Sequence, residues 1–168
     1  MRSPVARAIC RLAATLAAAF AFYRYSWLPE HTDRMLKSLQ TRTETAMNTP
    51  GDRGIFAARD NIAMLQTITN ACKLSIDYHL IYAVNARILH RNDEAIEHYT
   101  EALTIDHRPE IYFDRGTTYL EEGKLDPATS DIALAVRFNP NYIENVDAGM
   151  QSRIKAVIDA VPYNPPPR

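Results

Sequence analysis

Few residues in this 168-residue chain are spaced for chemistry. His79 and His90 are eleven residues apart on one predicted helix, which returns them to nearly the same face, and Glu94 and His98 stand four apart on the next. A zinc site would need three or four such ligands within about 2 Å of one ion. His79 falls at a predicted core position and the others face solvent, so these read as ordinary core and surface histidines and no metal is expected. There is no Gly-x-Ser-x-Gly elbow, Gly-rich phosphate loop, His-Glu-x-x-His or Cys-x-x-Cys. The chain is therefore expected not to be an enzyme, with no catalytic residues and no cofactor.

Cys10 lies in a presumed targeting segment, which leaves Cys72 as a single thiol on an apolar helical face, where it reads as buried and inert. The formal charge is -1, but residues 1–21 carry Arg2, Arg7 and Arg11 and no acid. The remainder holds 16 basic against 20 acidic residues, a mildly acidic body that argues against nucleic acid as a partner.

The elements that would carry any site are helices throughout, because Gly is scarce, Ala is abundant and no alternating β-branched runs stand out. Residues 1–21 read as a signal peptide: arginines, an apolar run from Leu12 to Tyr23, and Ala19-Phe20-Ala21 as the small-x-small cleavage pattern. Twelve apolar residues span roughly 18 Å as a helix, short of the roughly 30 Å hydrocarbon core, so no stable membrane span is expected. An organelle transit peptide and an uncleaved membrane anchor are the alternatives. Residues 22–31 read as a linker containing Trp27 and Pro29. A helix from His31 to Met47 is expected, with Thr32 as N-cap and Met35, Leu36, Leu39, Ala46 and Met47 on its apolar side. Turn formers fill 48–54, and a second helix from Ile55 to Cys72 carries Asn61, Leu65, Ile68 and Cys72 at helical spacing.

Further helices are expected over Ile76–Leu89 and Asp93–Ile105, from Pro109 to Glu121, and from an Asp126 cap with Pro127 in its first turn to Asn139-Pro140. One more amphipathic helix is expected from Ile143 to Ala160. The Pro-rich tail 161–168 should be extended, as a disordered end or a ligand for a Pro-binding domain.

Within this series, Tyr112, Arg115-Gly116, Tyr119, Ala128, Ile132, Ala135 and Pro140 follow the spacing of a tetratricopeptide repeat (TPR), with Arg115 in place of the usual Leu and Ile132 in place of the usual Phe. Ala83, Ala95, Tyr99 and Ala102 each stand 33 residues before Gly116, Ala128, Ile132 and Ala135. Ankyrin repeats share that period, but their Thr-Pro-Leu-His signature is absent. The chain thus resembles small exported bacterial TPR proteins. The resemblance implies an all-α, TPR-like helical-hairpin solenoid over 32–160, with best repeats 76–108 and 109–141, one degenerate N-terminal repeat and a C-terminal capping helix.

The resemblance also implies a role. TPR domains bind extended peptides or partner helices along the concave surface lined by the first helix of each repeat. Carried over by position, the partner-binding residues would be Leu80, Val84, Arg87 and Ile88 from one unit and Phe113, Thr117, Leu120 and Glu121 from the next, with Asp77 and Glu110 beside them. The expected function is an adaptor or scaffold for a protein or peptide partner, periplasmic or secreted. The alternative is a structural subunit that self-associates through its ends or its first helix pair.

Overall fold

A computed structural model describes residues 4–160. Among them are eight α-helices and no strand: α1 (Pro4–Phe22), α2 (Leu28–Met47), α3 (Asp52–Cys72), α4 (Ile76–Ile88), α5 (Asn92–Ile105), α6 (Pro109–Glu121), α7 (Leu125–Phe138) and α8 (Ala148–Ala160). A π-helical turn at Tyr23–Trp27 joins α1 to α2, and a 3₁₀ turn at Pro140–Asn145 precedes α8. The expected tail at 161–168 lies outside the described residues.

The helices pair as α2–α3, α4–α5 and α6–α7, and successive pairs stack α3 on α4 and α5 on α6. The architecture is an all-α stack of helical hairpins, closed by α8 packed on α7. Steric demand at the crossings explains the small residues. A Cβ added at Gly116 would stand 2.6 Å from Ile132 Cγ1, 3.2 Å from Asp131 Cβ and 3.3 Å from the Ala128 carbonyl oxygen. Ala83, Ala95 and Ala102 in the preceding pair, and Ala128 and Ala135 in this one, are fully buried. Tyr99 and Ile132, one repeat apart, are also fully buried beside them.

The repeat extends to the turns. Gly123 ends α6 at φ 69°, with Gly123 N donating to the Leu120 carbonyl and Lys124 N to that of Tyr119. Thirty-three residues earlier His90 adopts φ 56°, with His90 N donating to Arg87 and Arg91 N to Ala86. The same left-handed stop is thus made in one copy by glycine and in the other by histidine.

Two polar clusters lock the stack where the sequence departs from a purely apolar pattern. Asn61 Nδ2 donates to Asn85 Oδ1 at 3.0 Å, and Asn85 Nδ2 to Thr43 Oγ1 at 2.7 Å, joining α3, α4 and α2 through fully or nearly fully buried side chains. Arg42 Nε donates to Asn61 Oδ1 at 2.8 Å and completes that amide. In the last hairpin Arg115 forks onto Asp131, Nε to Oδ2 at 2.7 Å and Nη2 to Oδ1 at 2.9 Å, while Nη1 donates to Thr100 Oγ1. Arg115, in place of the usual Leu, therefore ties α6 to both α7 and α5.

Several expected boundaries differ. Residues 22–31, expected as a linker, are helical, and Tyr23, Trp27 and His31 stack ring on ring at 5.4 and 4.7 Å. Thr32 lies inside α2 and is no N-cap: its hydroxyl donates back to the carbonyls of Leu28 and Pro29. Gly54, expected in the turn, is in the first turn of α3, where a Cβ would collide with the Thr49 and Ala46 carbonyl oxygens at the end of α2. Asp126 lies within the first turn of α7 and Lys124 holds the cap position. The single helix expected from Ile143 is broken, because Val146 is extended and Asp147 Oδ1 accepts from Met150 N at 3.0 Å, starting α8 anew.

The Gly116 contact gives the fold a direct test. Gly116→Ala is expected to destabilise by about 1–3 kcal/mol through overpacking against Ile132 and the Ala128 carbonyl. Urea unfolding followed by circular dichroism measures it, and an unchanged midpoint would refute the crossing.

Candidate functional site

The first helices of the three hairpins, α2, α4 and α6, present the candidate binding face. Along α4, Leu80 and Val84 are partly exposed and line an open, mostly apolar pocket of about 170 Å³ with Gln40, Thr43, Glu44, Met47, Asp77 and Ile81. Val84 and Met47 also line a second pocket of about 490 Å³, together with Arg87, Ile88, His90, Asn92, Tyr99, Asp114 and Glu121. The two hollows adjoin through shared residues. Leu80, Val84, Arg87, Ile88 and Glu121 are thereby gathered on one continuous surface.

The other expected residues go elsewhere. Phe113 stacks on Tyr142 with centroids 4.7 Å apart, and it and Leu120 pack against the C-terminal cluster of Ile132, Ala133, Val136, Met150 and Ile154. This part of the expected apolar floor is covered by the chain's own 3₁₀ turn and α8. Thr117 is half-buried, and its hydroxyl donates to the Asp114 carbonyl at 2.9 Å.

Sequence reasoning missed Met47, Tyr99, Asn92 and Asp114 as contributors. Periodicity places Met47 on the apolar side of its helix, yet it is 62% exposed and lines both pockets. Tyr99 lies on a second helix of a hairpin, so positional carry-over along first helices passes it by. Asn92 has no apolar periodicity to mark it; its Nδ2 donates to Glu122 Oε1 at 2.8 Å.

The electrostatics of the face are acidic. Glu44 and Asp77 border the smaller pocket, and Asp114 and Glu121 the larger. Arg87 Nη2 donates to Glu121 Oε1 at 2.6 Å across α4 and α6. Burial pushes the Asp114 carboxyl above its usual range, opposed by Arg87 and reinforced by Glu110.

The histidines fall into a different arrangement. His79 pairs with His98, Nδ1 to Nδ1 at 3.0 Å, and His98 stacks on Tyr82 with centroids 3.8 Å apart. His79 Nε2 lies 3.0 Å from the Lys73 carbonyl, which can only accept, so Nε2 carries the hydrogen and His79 Nδ1 accepts from His98. Burial, and after it the charge interaction with His79, lower the His98 value to about 4. No group of three or more His, Cys, Asp or Glu among the described residues could hold a metal ion. Cys72 is buried, and burial pushes its thiol up.

No family model matches the chain, and no curated protein matches it in sequence. Among solved structures, the type III secretion translocator chaperone SycD of Yersinia enterocolitica is similar, with a TM-score of 0.49 and 18% identity over 74% of this chain and 83% of that chain. A likeness of that degree carries no argument about function here.

The histidine pair predicts a pH dependence. Because the folded value of His98 lies below the 6.5 of a free histidine, the unfolded chain takes the proton first. Its contribution is complete above about pH 6.5 and is lost as pH falls towards about 4. Comparing melts of the parent chain and His98→Gln across that range should find a shallower fall in the variant; identical slopes would refute the assignment.

Proposed function

We propose that this chain is an adaptor, not an enzyme, that holds a segment of another protein against the concave face of α2, α4 and α6. The observation that carries the reading is an apolar strip of Met47, Leu80, Val84 and Ile88 lining adjoining hollows that stay open among the described residues. Apolar surface of this kind, rimmed by polar residues, is a common mark of a protein-binding site. The acidic rim disfavours nucleic acid.

The test is photo-crosslinking from position 84 in cells, followed by Leu80→Glu. A discrete crosslinked partner, weakened roughly tenfold or more by Leu80→Glu with the fold retained, is the expected result. Phe113→Ala is expected to lower the melting temperature instead, since Phe113 packs under Tyr142. Capture indifferent to Leu80→Glu would remove the concave face from the reading.

We further propose that the chain is exported. Support comes from the arginines before the apolar run 12–23 and from the small-x-small residues 19–21. Among the described residues no helix is long and apolar enough to cross a membrane. Mass spectrometry of the cell-envelope fraction tests export: a mature chain starting near Phe22 supports cleavage, whereas an intact chain in the membrane fraction supports an anchor. Self-association through the ends or the first helix pair is the second reading, favoured by the exposed Trp27 and Phe56 of the mature chain.

A further inference from the structure

The larger hollow between α4 and α6 has two unlike walls. Met47, Val84 and Ile88 make one side apolar, and Arg87, Asn92, Tyr99, Asp114 and Glu121 make the other polar. Three buried polar atoms there lack a hydrogen-bond partner: Tyr99 Oη, Asn92 Oδ1 and Arg87 Nε. The Tyr99 side chain is 0% exposed and that of Asn92 8%, so water-facing orientation does not account for them. Tyr99 and Arg87 face one another, and the guanidinium in part answers the hydroxyl by opposing the rise that burial imposes on Tyr99. Leaving the two acceptors, Asn92 Oδ1 and Tyr99 Oη, without a donor has a cost that a donor ligand can relieve.

The chemistry of that ligand follows from the charges and lone pairs. Arg87 pairs with Glu121 and also faces Asp114, so one positive charge serves two carboxyl groups. Asn92 Oδ1 and the carboxylate oxygens can only accept, and Tyr99 Oη has a lone pair to offer. A carboxylate ligand would meet Asp114, Glu121 and the nearby Glu110 as like charges. A neutral amide would leave the Asp114 charge unbalanced. A cation with several N–H donors meets the acceptors and brings the pocket to neutrality.

We propose that this pocket takes the guanidinium or ammonium of an arginine or lysine side chain, presented by a partner segment lying along the α2–α4 face. The methylenes of that side chain lie against Met47, Val84 and Ile88 while its head reaches Asn92, Tyr99 and Asp114. Glu44 and Asp77 on the adjoining hollow favour further basic residues in the same segment. This assignment rests on the reading of the concave face as a protein-binding surface.

Two short amphipathic probe peptides, identical except for arginine in one and its neutral isostere citrulline in the other, test it by fluorescence anisotropy with the full chain. The arginine peptide is expected to bind roughly tenfold tighter or more, as charge-assisted hydrogen bonds allow. Asp114→Asn should abolish that difference while leaving the melting curve of the chain in place. Equal affinities that are both weakened by Leu80→Glu would overturn the cation pocket and leave the binding face standing. No binding by either peptide, or binding untouched by Leu80→Glu, would overturn both.

Discussion

The close crossing of α6 and α7 at Gly116 is the constraint on which the stack depends. Two helices approach this tightly only where a side chain is missing, since Ile132 and the Ala128 carbonyl already occupy the space a Cβ would take. Alanine makes the equivalent approach in α4 and α5, and the large residues Tyr99 and Ile132 pack around each crossing. The hairpin geometry set there propagates by repetition, so that α5 meets α6 as α3 meets α4.

Buried polar contacts add direction to this packing. Apolar surfaces can slide against one another, but Asn61, Asn85 and Thr43 satisfy each other in only one relative placement of α2, α3 and α4. The Arg115–Asp131 fork does the same for α6 and α7. Together they hold the first helices in a row, and that row presents the candidate binding face.

Function, on the reading advanced above, arises where this row is left uncovered. The C-terminal 3₁₀ turn and α8 close over Phe113 and Leu120, whereas Met47, Leu80, Val84 and Ile88 remain on an open surface. The same polar wall that joins α4 to α6 through Arg87 and Glu121 leaves acceptors behind it unpaired. Stability and recognition thus draw on neighbouring atoms of one hollow.

The sequence by itself determined the all-α class, the two best hairpins and their 33-residue register, because small residues at fixed spacing state where helices must cross. It also marked Leu80, Val84, Arg87, Ile88 and Glu121 as residues of one face. Only the tertiary structure decided that residues 22–31 are helical, that Asp147 restarts the last helix, and that Met47 stands in solvent. Each of these depends on partners distant in the chain or on a local turn that periodicity does not encode. The same holds for Tyr99, Asn92 and Asp114: burial, pairing and lack of pairing are properties of three helices brought together, and no stretch of sequence contains them.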